Sequence, residues 1–527
     1  MSKQSNRQRL VADPFPEAWL PYLDQNVLLA RLLPEPHQAR LRDAVRIFIA
    51  EKYWEGCAGL TITDEMRVTI AGNACLLLLG LEDYYFDELK TVLVYPGGFL
   101  SVHEDSGEEE RVAHLLGLAA YKGPVLLSWW ETSWDGRRLG RNNVVLHEFA
   151  HKLAELGDPI TGLPPMMDSA LEDRWEEVVG REYRRLVEDA EYDRPTLLRP
   201  YGATNRNEFF AVATEVFFLE PVALRQRHPE LYQLLAAWYR QDPATWKMDE
   251  AVVSQAHEAE EQYIRHAIDE CSAAIRLRPD YLDAYRDRAG CYRDLGDFDP
   301  ALADWSEVIR LTDGEERGEA CYERGAVHLA AGAHAAALAD FDEAVRRCPD
   351  LARAWCDRGV ALAATGDIEE GLIDLGRALR LDPKDDAAYV ERALIYRDQG
   401  KHARALRDLS KALRLSPYDA SIYCHRAEVR LDLGEPDQAI ADCEEALSLD
   451  PKLPEPYKHR GVARLRKREH AAALADLDEA IRFDPEYAEA YLARAEVHEA
   501  RGDEVKARQD RAKAKRLQGE ETGPAAG

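Results

Sequence analysis

The second half of the sequence repeats itself at a fixed interval, and this period constrains the fold more than any other feature. Aromatic or cysteine residues recur once after 36 residues and then five times after 34, at Tyr285, Cys321, Trp355, Tyr389, Tyr423, Tyr457 and Tyr491. Prolines recur at the same interval, at Pro349, Pro383, Pro417, Pro451 and Pro485. A period of 34 residues fits one pair of antiparallel helices. The sequence therefore predicts a solenoid of seven helix pairs.

The period also resembles that of tetratricopeptide repeats, and it sets the predicted domain borders. We predict a repeat array over residues 281–518, a capping helix over 249–280 before it and a disordered tail over 519–527 after it. Residues 1–248 then form a separate N-terminal domain. Stacked helix pairs make a curved surface that commonly holds a peptide or a protein, so we expect a protein partner in this groove.

Each predicted repeat carries an arginine in its first helix and an aspartate in its second. The arginines are Arg288, Arg324, Arg358, Arg392, Arg426, Arg460 and Arg494, and the aspartates are Asp304, Asp340, Asp374, Asp408, Asp442, Asp476 and Asp510. One interpretation is a ladder of charges that recognises a charged peptide terminus. The interpretation we favour is that they are solvated or bridge the helices within and between repeats.

A stretch in the N-terminal domain has the spacing of metal ligands. In His147-Glu148-Phe149-Ala150-His151 the two histidines lie one helical turn apart, so both imidazoles can reach one tetrahedral cation. This His-Glu-x-x-His arrangement is typical of zinc peptidases, in which the glutamate acts as general base on a water molecule. We therefore predict one catalytic Zn²⁺. The alternative is a chance match on an ordinary buried helix.

A catalytic zinc of this type needs a third protein ligand. The apolar run from Glu208 to Phe218 has acids only at Glu208 and Glu215, two turns apart on one helix face. We assign Glu208 as the third ligand and Glu215 as a group that holds a ligand histidine by its other ring nitrogen. In the alternative interpretation both acids pair with arginines such as Arg206 or Arg141.

Three segments together resemble one known family. The segments 123–129, 147–153 and 201–218 look, in this order, like the Mlc titration factor A family of zinc-dependent peptidases, and the similarity covers about Leu33 to Trp246. The resemblance implies an α+β metallopeptidase domain of the gluzincin type. It implies His147, His151 and Glu208 as zinc ligands, Glu148 as catalytic base and Tyr201 as a hydrogen-bond donor to the oxyanion. Two positions depart from the pattern, because Ala154 and Val212 stand where aspartates occur in better-known members or in thermolysin-like enzymes.

A predicted strand before the zinc helix is a candidate for substrate binding. In zinc peptidases of this general shape, an edge strand beside the metal pairs with an extended substrate through its main chain. The apolar run Val125-Leu126-Leu127-Ser128-Trp129, which follows Gly123-Pro124, is our candidate for that strand. The alternative is an ordinary core strand.

Composition limits the partners and the compartment. The formal net charge of −29 argues against binding to nucleic acid or to an anionic membrane, because phosphate binding needs a basic face. The first residues are polar, and no apolar run is long enough to span a bilayer, so we expect a soluble protein without a signal peptide. Nine cysteines without a Cys-x-x-Cys pair suit a reducing cytoplasm.

The predicted fold class is therefore mainly α, with an α+β zincin-like domain followed by an α-solenoid. The predicted function is a zinc metallopeptidase whose repeats recruit or position a protein substrate. One alternative is a regulatory protein that binds a partner, for example a transcriptional regulator, through both parts. A scaffold with structural zinc is disfavoured, because such sites are rich in cysteine and Cys57 and Cys75 lie far from the motif in the sequence.

Overall fold

The computed structural model describes residues 3–81, 84–103, 111–115, 117–138, 140, 142–157, 169–191, 196–247 and 249–518. The predicted tail at 519–527 and Arg141 lie outside these residues. The chain divides into two compact units, Met1–His266 and Ala267–Gly527, and the dividing point lies inside one long helix. The borders placed at 248 and 280 from the sequence stay predictions.

The first unit combines helices with two small sheets. Its helices are α1 Lys3–Ala12, α2 Leu20–Asn26, α3 Leu28–Leu32, α4 Glu35–Glu51, α5 Asp64–Leu76, α6 Trp129–Asp135, α7 Val144–Ala154, α8 Ser169–Glu191, α9 Arg206–Leu219, α10 Pro221–Arg227, α11 Pro229–Tyr239 and α12 Glu250–Leu277. Its strands are β1 Tyr53–Gly56, β2 Thr91–Tyr95, β3 Phe99–His103, β4 Arg111–Leu115, β5 Gly117–Ala119 and β6 Val125–Ser128.

The larger sheet has the order β1-β2-β6-β5, and β3 pairs with β4 in a separate hairpin. Strands β1, β2 and β6 run parallel, whereas β5 is antiparallel to β6. Strand β6 therefore lies inside the sheet, with Val125 and Leu127 fully buried, and β5 lies at the edge. This is the core-strand alternative for residues 125–128, and Trp129 begins helix α6 instead of extending the strand.

Helix α7, which carries both histidines of the motif, lies in the middle of the first core. Its Phe149 is fully buried and meets Phe48 of α4 and Phe86, with ring centroids 5.6 and 4.8 Å apart. Helix α9 packs against α7 and is buried along almost its whole length. Apolar residues on several sides of a helix indicate burial rather than a surface position, and both helices fit that rule.

The second unit consists of helix pairs. Its helices are α13 Leu282–Asp294, α14 Phe298–Leu311, α15 Gly314–Ala330, α16 His334–Arg347, α17 Ala352–Thr365, α18 Ile368–Leu381, α19 Asp386–Asp398, α20 His402–Leu415, α21 Ala420–Asp432, α22 Pro436–Leu449, α23 Pro454–Arg466, α24 His470–Phe483, α25 Ala488–Ala500 and α26 Glu504–Leu517. Each pair packs on the next, and the first helices of neighbouring pairs from α15 to α25 contact one another. The predicted fold class, with seven helix pairs in the solenoid, is confirmed.

The arginine and aspartate series join the two helices of each repeat. In all seven repeats the guanidinium group donates two hydrogen bonds to the carboxylate sixteen residues later. The aspartates are buried. Three of the arginines also donate to the preceding helix pair, as Arg324 does to Ser306, and Arg288 donates to Ser272 of α12. The series thus bridges helices within and between repeats.

Within the described residues, no helix is both long enough and apolar enough to cross a lipid bilayer.

Loss of one carboxylate from this series should destabilise the array. We expect Asp408→Ala to lower the free energy of unfolding by about 3 kcal/mol, because it leaves Arg392 unpaired in a mostly buried position. The measurement is urea denaturation followed by circular dichroism. In the control, Glu307→Ala removes the exposed partner of Arg310 and should change the free energy by less than about 0.5 kcal/mol. Equal losses in both variants would contradict the structural role of the buried pairs.

Candidate metal centre

The helix that carries the motif begins at a well-formed cap. The Asn143 side chain accepts a hydrogen bond from the Leu146 amide at 3.0 Å, which satisfies a backbone donor at the helix start. The Val144 amide donates to the Asp135 carboxylate at 2.8 Å. These two contacts fix the start of α7, and the helix periodicity then places His147 and His151 on one face.

Three side chains converge on one point beside that face. The Nε2 atoms of His147 and His151 lie 3.2 Å apart, and Glu208 Oε2 lies 3.1 and 3.3 Å from them. All three ligand atoms fall within 4.8 Å of one another, and they form the metal-ligand cluster found among the described residues. Two imidazole nitrogens and one carboxylate oxygen match a catalytic zinc site with an open position. The residues present therefore fit the predicted ion.

Glu215 contacts His147 through the ring nitrogen that does not face the cluster. Its Oε1 atom lies 2.5 Å from His147 Nδ1, and its Oε2 atom accepts a hydrogen bond from the Asn143 amide at 3.0 Å. Arg199 donates to the same carboxylate, which is only 1% exposed. Since the Nδ1 atom is engaged by Glu215, the Nε2 atom of His147 is left to face the cluster.

Glu148 lies on the same side, against the edge strand. Its carboxylate is buried and accepts a hydrogen bond from the Ala119 amide of β5. Gly117 of β5 passes so close that a Cβ atom there would lie 2.6 Å from Glu148 Oε1 and 2.6 Å from a methyl group of Val144. Only glycine fits at this position without displacing one of these neighbours.

The acid and histidine groups of the metal-free cluster shift each other's pKa. Burial alone would lower the pKa of His147, but its hydrogen bonds with Glu208 and Glu215 raise it to about 10. Burial would raise the pKa of Glu208, but hydrogen bonds from His147 and His151 lower it to about 2. Burial raises the pKa of Glu148. His147 therefore carries a proton at neutral pH, and its positive charge lies against the carboxylates of Glu208 and Glu215.

Tyr201 lies across the cleft from the base. It belongs to the 3₁₀ turn Pro200–Ala203, its side chain is 55% exposed and its ring centroid lies 6.1 Å from that of His147. Partial burial and the nearby carboxylates of Glu208 and Glu148 raise its pKa to about 12, so the phenol remains a hydrogen-bond donor.

The cleft itself has a volume of about 350 Å³. Besides the three candidate ligands, Glu148 and Tyr201, its lining includes Gly117, Leu118, Tyr121, Ala154, Asn205 and Asn207. None of Val125, Leu126, Leu127, Ser128 and Trp129 belongs to this lining, so the structure does not bring the predicted shelf residues to the cleft. Residues of the edge strand β5 line the cleft instead.

The arginine contacts in the structure differ from the alternative interpretation, in which Glu208 and Glu215 pair with arginines such as Arg206 or Arg141. Arg206 donates to Glu176 at 2.8 and 3.1 Å. Arg199, which the sequence analysis did not single out, is the arginine that contacts Glu215. Its only sequence signal is its position two residues before Tyr201.

A lysine that was not predicted from the sequence holds the edge strand in place. Lys152 is buried on α7, and its ammonium group donates to the Ala120 carbonyl and, at 2.9 Å, to Glu155. Glu155 in turn accepts from the Lys122 amide at 3.2 Å. These contacts hold the turn between β5 and β6 against the helix. A lysine on an otherwise apolar helix was the available signal.

Comparison with known proteins identifies a family for each part of the chain. Residues 2–240 match the family described as glucose-regulated metallo-peptidase M90. Residues 292–352, 322–386, 390–454 and 460–519 match tetratricopeptide repeats. A tetratricopeptide repeat protein from Parabacteroides merdae is similar in structure at 18% identity, with a TM-score of 0.38, over 47% of this chain and 98% of its own.

Two relatives cover the N-terminal part. The protein slr2042 of Synechocystis is 35% identical over 244 residues, which are 45% of this chain and 88% of that protein. Mlc titration factor A of Pectobacterium atrosepticum is 33% identical over 226 residues, which are 41% of this chain and 83% of that protein. The chain therefore belongs, through its N-terminal unit, to the M90 metallo-peptidase family, and it carries a C-terminal array of tetratricopeptide repeats. The resemblance seen in the sequence is confirmed.

The contact between Glu215 and His147 gives a test of the metal centre. We expect Glu215→Ala to weaken Zn²⁺ binding roughly 10- to 100-fold, because it frees the His147 ring. The measurement is competition with a chromogenic chelator. Glu182→Ala is a matched control, because Glu182 is also buried and accepts from a histidine, His228, at 2.8 Å. Equal Zn²⁺ affinity in wild type and Glu215→Ala would contradict the assignment.

Proposed function

We propose that the protein is a zinc-dependent peptidase whose repeats recruit or position a protein substrate. One observation carries the proposal. His147, His151 and Glu208 converge within 4.8 Å in a cleft, and the buried Glu148 lies beside them. Membership of a metallo-peptidase family supports the same chemistry. Cytoplasmic location is part of the proposal and rests on the cysteine content.

Each residue of the cleft has a role in this proposal. A Zn²⁺ ion held by His147, His151 and Glu208 would supply Lewis acidity, which polarises a carbonyl group and lowers the pKa of water. The Glu148 carboxylate accepts a proton from the attacking water and returns it to the nitrogen of the leaving amine. The Tyr201 hydroxyl donates a hydrogen bond to the substrate oxygen as negative charge develops on it.

Strand β5 is the substrate shelf in this proposal. It lies at the edge of the sheet, it lines the cleft, and its Ala119 amide already touches the catalytic base. An extended peptide can add to such an edge as a further strand through main-chain hydrogen bonds. The scissile bond would then lie beside Glu148. Residues 125–128, placed inside the sheet, have no free edge for this pairing.

A second candidate function is regulatory. Relatives of the N-terminal unit are named Mlc titration factor A. Under this alternative the zinc site is structural or latent, and both units bind a partner such as a transcriptional regulator. The four site residues favour the enzyme, since a protein without catalysis has no need to bury Glu148 beside an open metal site.

Metal analysis and peptide hydrolysis together separate the two functions. We expect one Zn²⁺ per chain in the wild type, loss of it in Glu208→Ala, and turnover of a mixed set of fluorogenic peptides. Glu148→Gln should keep the metal and lower kcat/KM at least 10²-fold, since it removes the base. Zinc without turnover above the Glu148→Gln background would favour the regulatory alternative, and absence of zinc would contradict the site.

The close approach of Gly117 to the base gives an independent test. We expect Gly117→Ala to retain Zn²⁺ but to lower kcat/KM roughly tenfold or more, because the new methyl group displaces Glu148 or β5. Gly140→Ala is the control, because a Cβ atom at Gly140 meets no atom within 4 Å. Unchanged kcat/KM in Gly117→Ala would show that this contact does not position the base.

A further inference from the structure

A second ladder of residues follows the repeat period, and it differs from the arginine–aspartate series. Two residues after each aligned aromatic or cysteine position, four consecutive repeats place Asp357, Glu391, His425 and His459 on the first helices α17, α19, α21 and α23. These four residues are called the inner row here. Neighbouring first helices contact one another, so the row is continuous. Burial and, after it, Asp357 raise the pKa of Glu391, while burial, Lys458 and His425 lower that of His459.

Members of the inner row lack the partners that the arginine–aspartate pairs have. Glu391 and His425 are partly buried, and within the part of the chain that the structure describes neither makes a hydrogen bond or an ion pair. His459 is only 6% exposed, and its Nδ1 atom is buried without a hydrogen-bond partner among the described residues. Buried polar groups are normally satisfied, so an exception of this kind calls for an explanation.

Polar side chains next to the inner row also lack hydrogen-bond partners among the described residues. Lys458 is partly buried and makes no hydrogen bond or ion pair among the described residues, and its nitrogen lies 5.7 Å from the ring centroid of Tyr487. The carboxylates of Glu428, Glu489 and Glu455 act on it only at longer range. The Oε2 atom of Glu455, one turn earlier on α23, is buried without a partner in the described chain. Unsatisfied donors and acceptors therefore lie side by side. A polypeptide main chain offers both kinds of group, one of each per residue.

Charge is distributed unevenly along the row. Its first two members are acids, and the one hydrogen-bond donor to Asp357 among the described residues is the Tyr322 hydroxyl, at 2.9 Å. Burial raises the pKa of both Asp357 and Glu391. Arg353, which is paired with Glu323, partly offsets this effect at Asp357, whereas no cation acts on Glu391 among the described residues. At the other end, burial lowers the pKa of His459 to about 3, so its imidazole is neutral. Among the described residues, the acidic end therefore forms no ion pair, and the two histidines at the other end make no hydrogen bond.

We propose that the inner row binds an extended polypeptide segment, with a lysine or arginine side chain of that segment at Asp357 and Glu391. The main chain of the segment then runs along α21 and α23, where Lys458 donates to a carbonyl and Glu455 accepts from an amide. This inference rests on the recruiting role proposed for the repeats, and it names the chemistry of the partner. It does not depend on the metal centre.

The geometry sets the length of the segment. Neighbouring packed helices lie roughly 8–10 Å apart, so the three intervals from α17 to α23 span about 24–30 Å. An extended chain advances roughly 3.3 Å per residue, so about seven to nine residues cover the row. The basic side chain belongs near one end of this segment.

Binding of a defined peptide library tests the proposal. The protein is the full chain carrying Glu148→Gln, which prevents hydrolysis. The probe is a positional library of fluorescent decapeptides with acetylated and amidated ends, in which lysine, arginine, glutamine or glutamate is fixed at one position. We expect the lysine and arginine sublibraries to bind at least tenfold more tightly than the glutamate sublibrary in fluorescence anisotropy. Equal binding of all four, or no binding, would overturn the proposal.

Variants of the row separate its two ends. Asp357→Asn with Glu391→Gln should remove the preference for lysine and arginine, since both changes keep the shape and remove the charge. Lys458→Met should weaken all sublibraries by a similar factor, because it acts on the main chain. Glu370→Gln, on an exposed position of α18, should change nothing. Retention of the basic preference in the double variant would overturn the assignment, and circular dichroism confirms that each variant is folded.

Two failures can be told apart in this design. If the library binds as expected and the wild type shows no peptide turnover, the inference about the row stands and the peptidase proposal fails. If turnover is found and no sublibrary prefers a basic residue, the peptidase stands and this inference fails.

Discussion

The first unit depends on one buried carboxylate. Glu215 is almost fully buried, and its two oxygens are shared by the His147 ring, the Asn143 amide and the Arg199 guanidinium group. A buried carboxylate without such partners would cost several kcal/mol of folding free energy. The start of α7, the middle of α9 and the turn before Tyr201 must therefore assemble together. The Glu215 carboxylate thus joins the elements that carry all three candidate ligands and the phenol of the cleft.

In the second unit, some buried polar groups are fully hydrogen-bonded and others are not. Its seven arginine–aspartate pairs are each closed by two hydrogen bonds, and they hold the paired helices together. In the inner row, at a neighbouring position of four of these repeats, Glu391, His425 and the buried Nδ1 atom of His459 have no hydrogen-bond partner among the described residues. Since both series have the same period, periodicity alone does not separate a structural role from binding. The state of the hydrogen bonds does.

Some features of the fold and of the candidate site could be predicted from the sequence. Spacing within one helix was sufficient to propose His147 and His151, because helical periodicity is a local property. The period of 34 residues was sufficient to propose the seven repeats. Glu208 and Glu215 could be proposed because two acids on an apolar helix need a partner. The substrate strand could not be placed, because the edge of a sheet is decided by pairing between strands distant in sequence, and a short apolar run fits either position.

The sequence by itself determined the helix pairs, the two-part organisation and the candidate ligands, since each follows from periodicity or from spacing along one element. Only the tertiary structure decided that β5 rather than residues 125–128 borders the cleft, that Arg199 compensates Glu215 and that Lys152 fastens the edge strand. It also distinguished the satisfied arginine–aspartate pairs from the unsatisfied inner row. The physical reason is common to all of these features, because burial and hydrogen-bond partners arise between elements that the chain brings together only on folding.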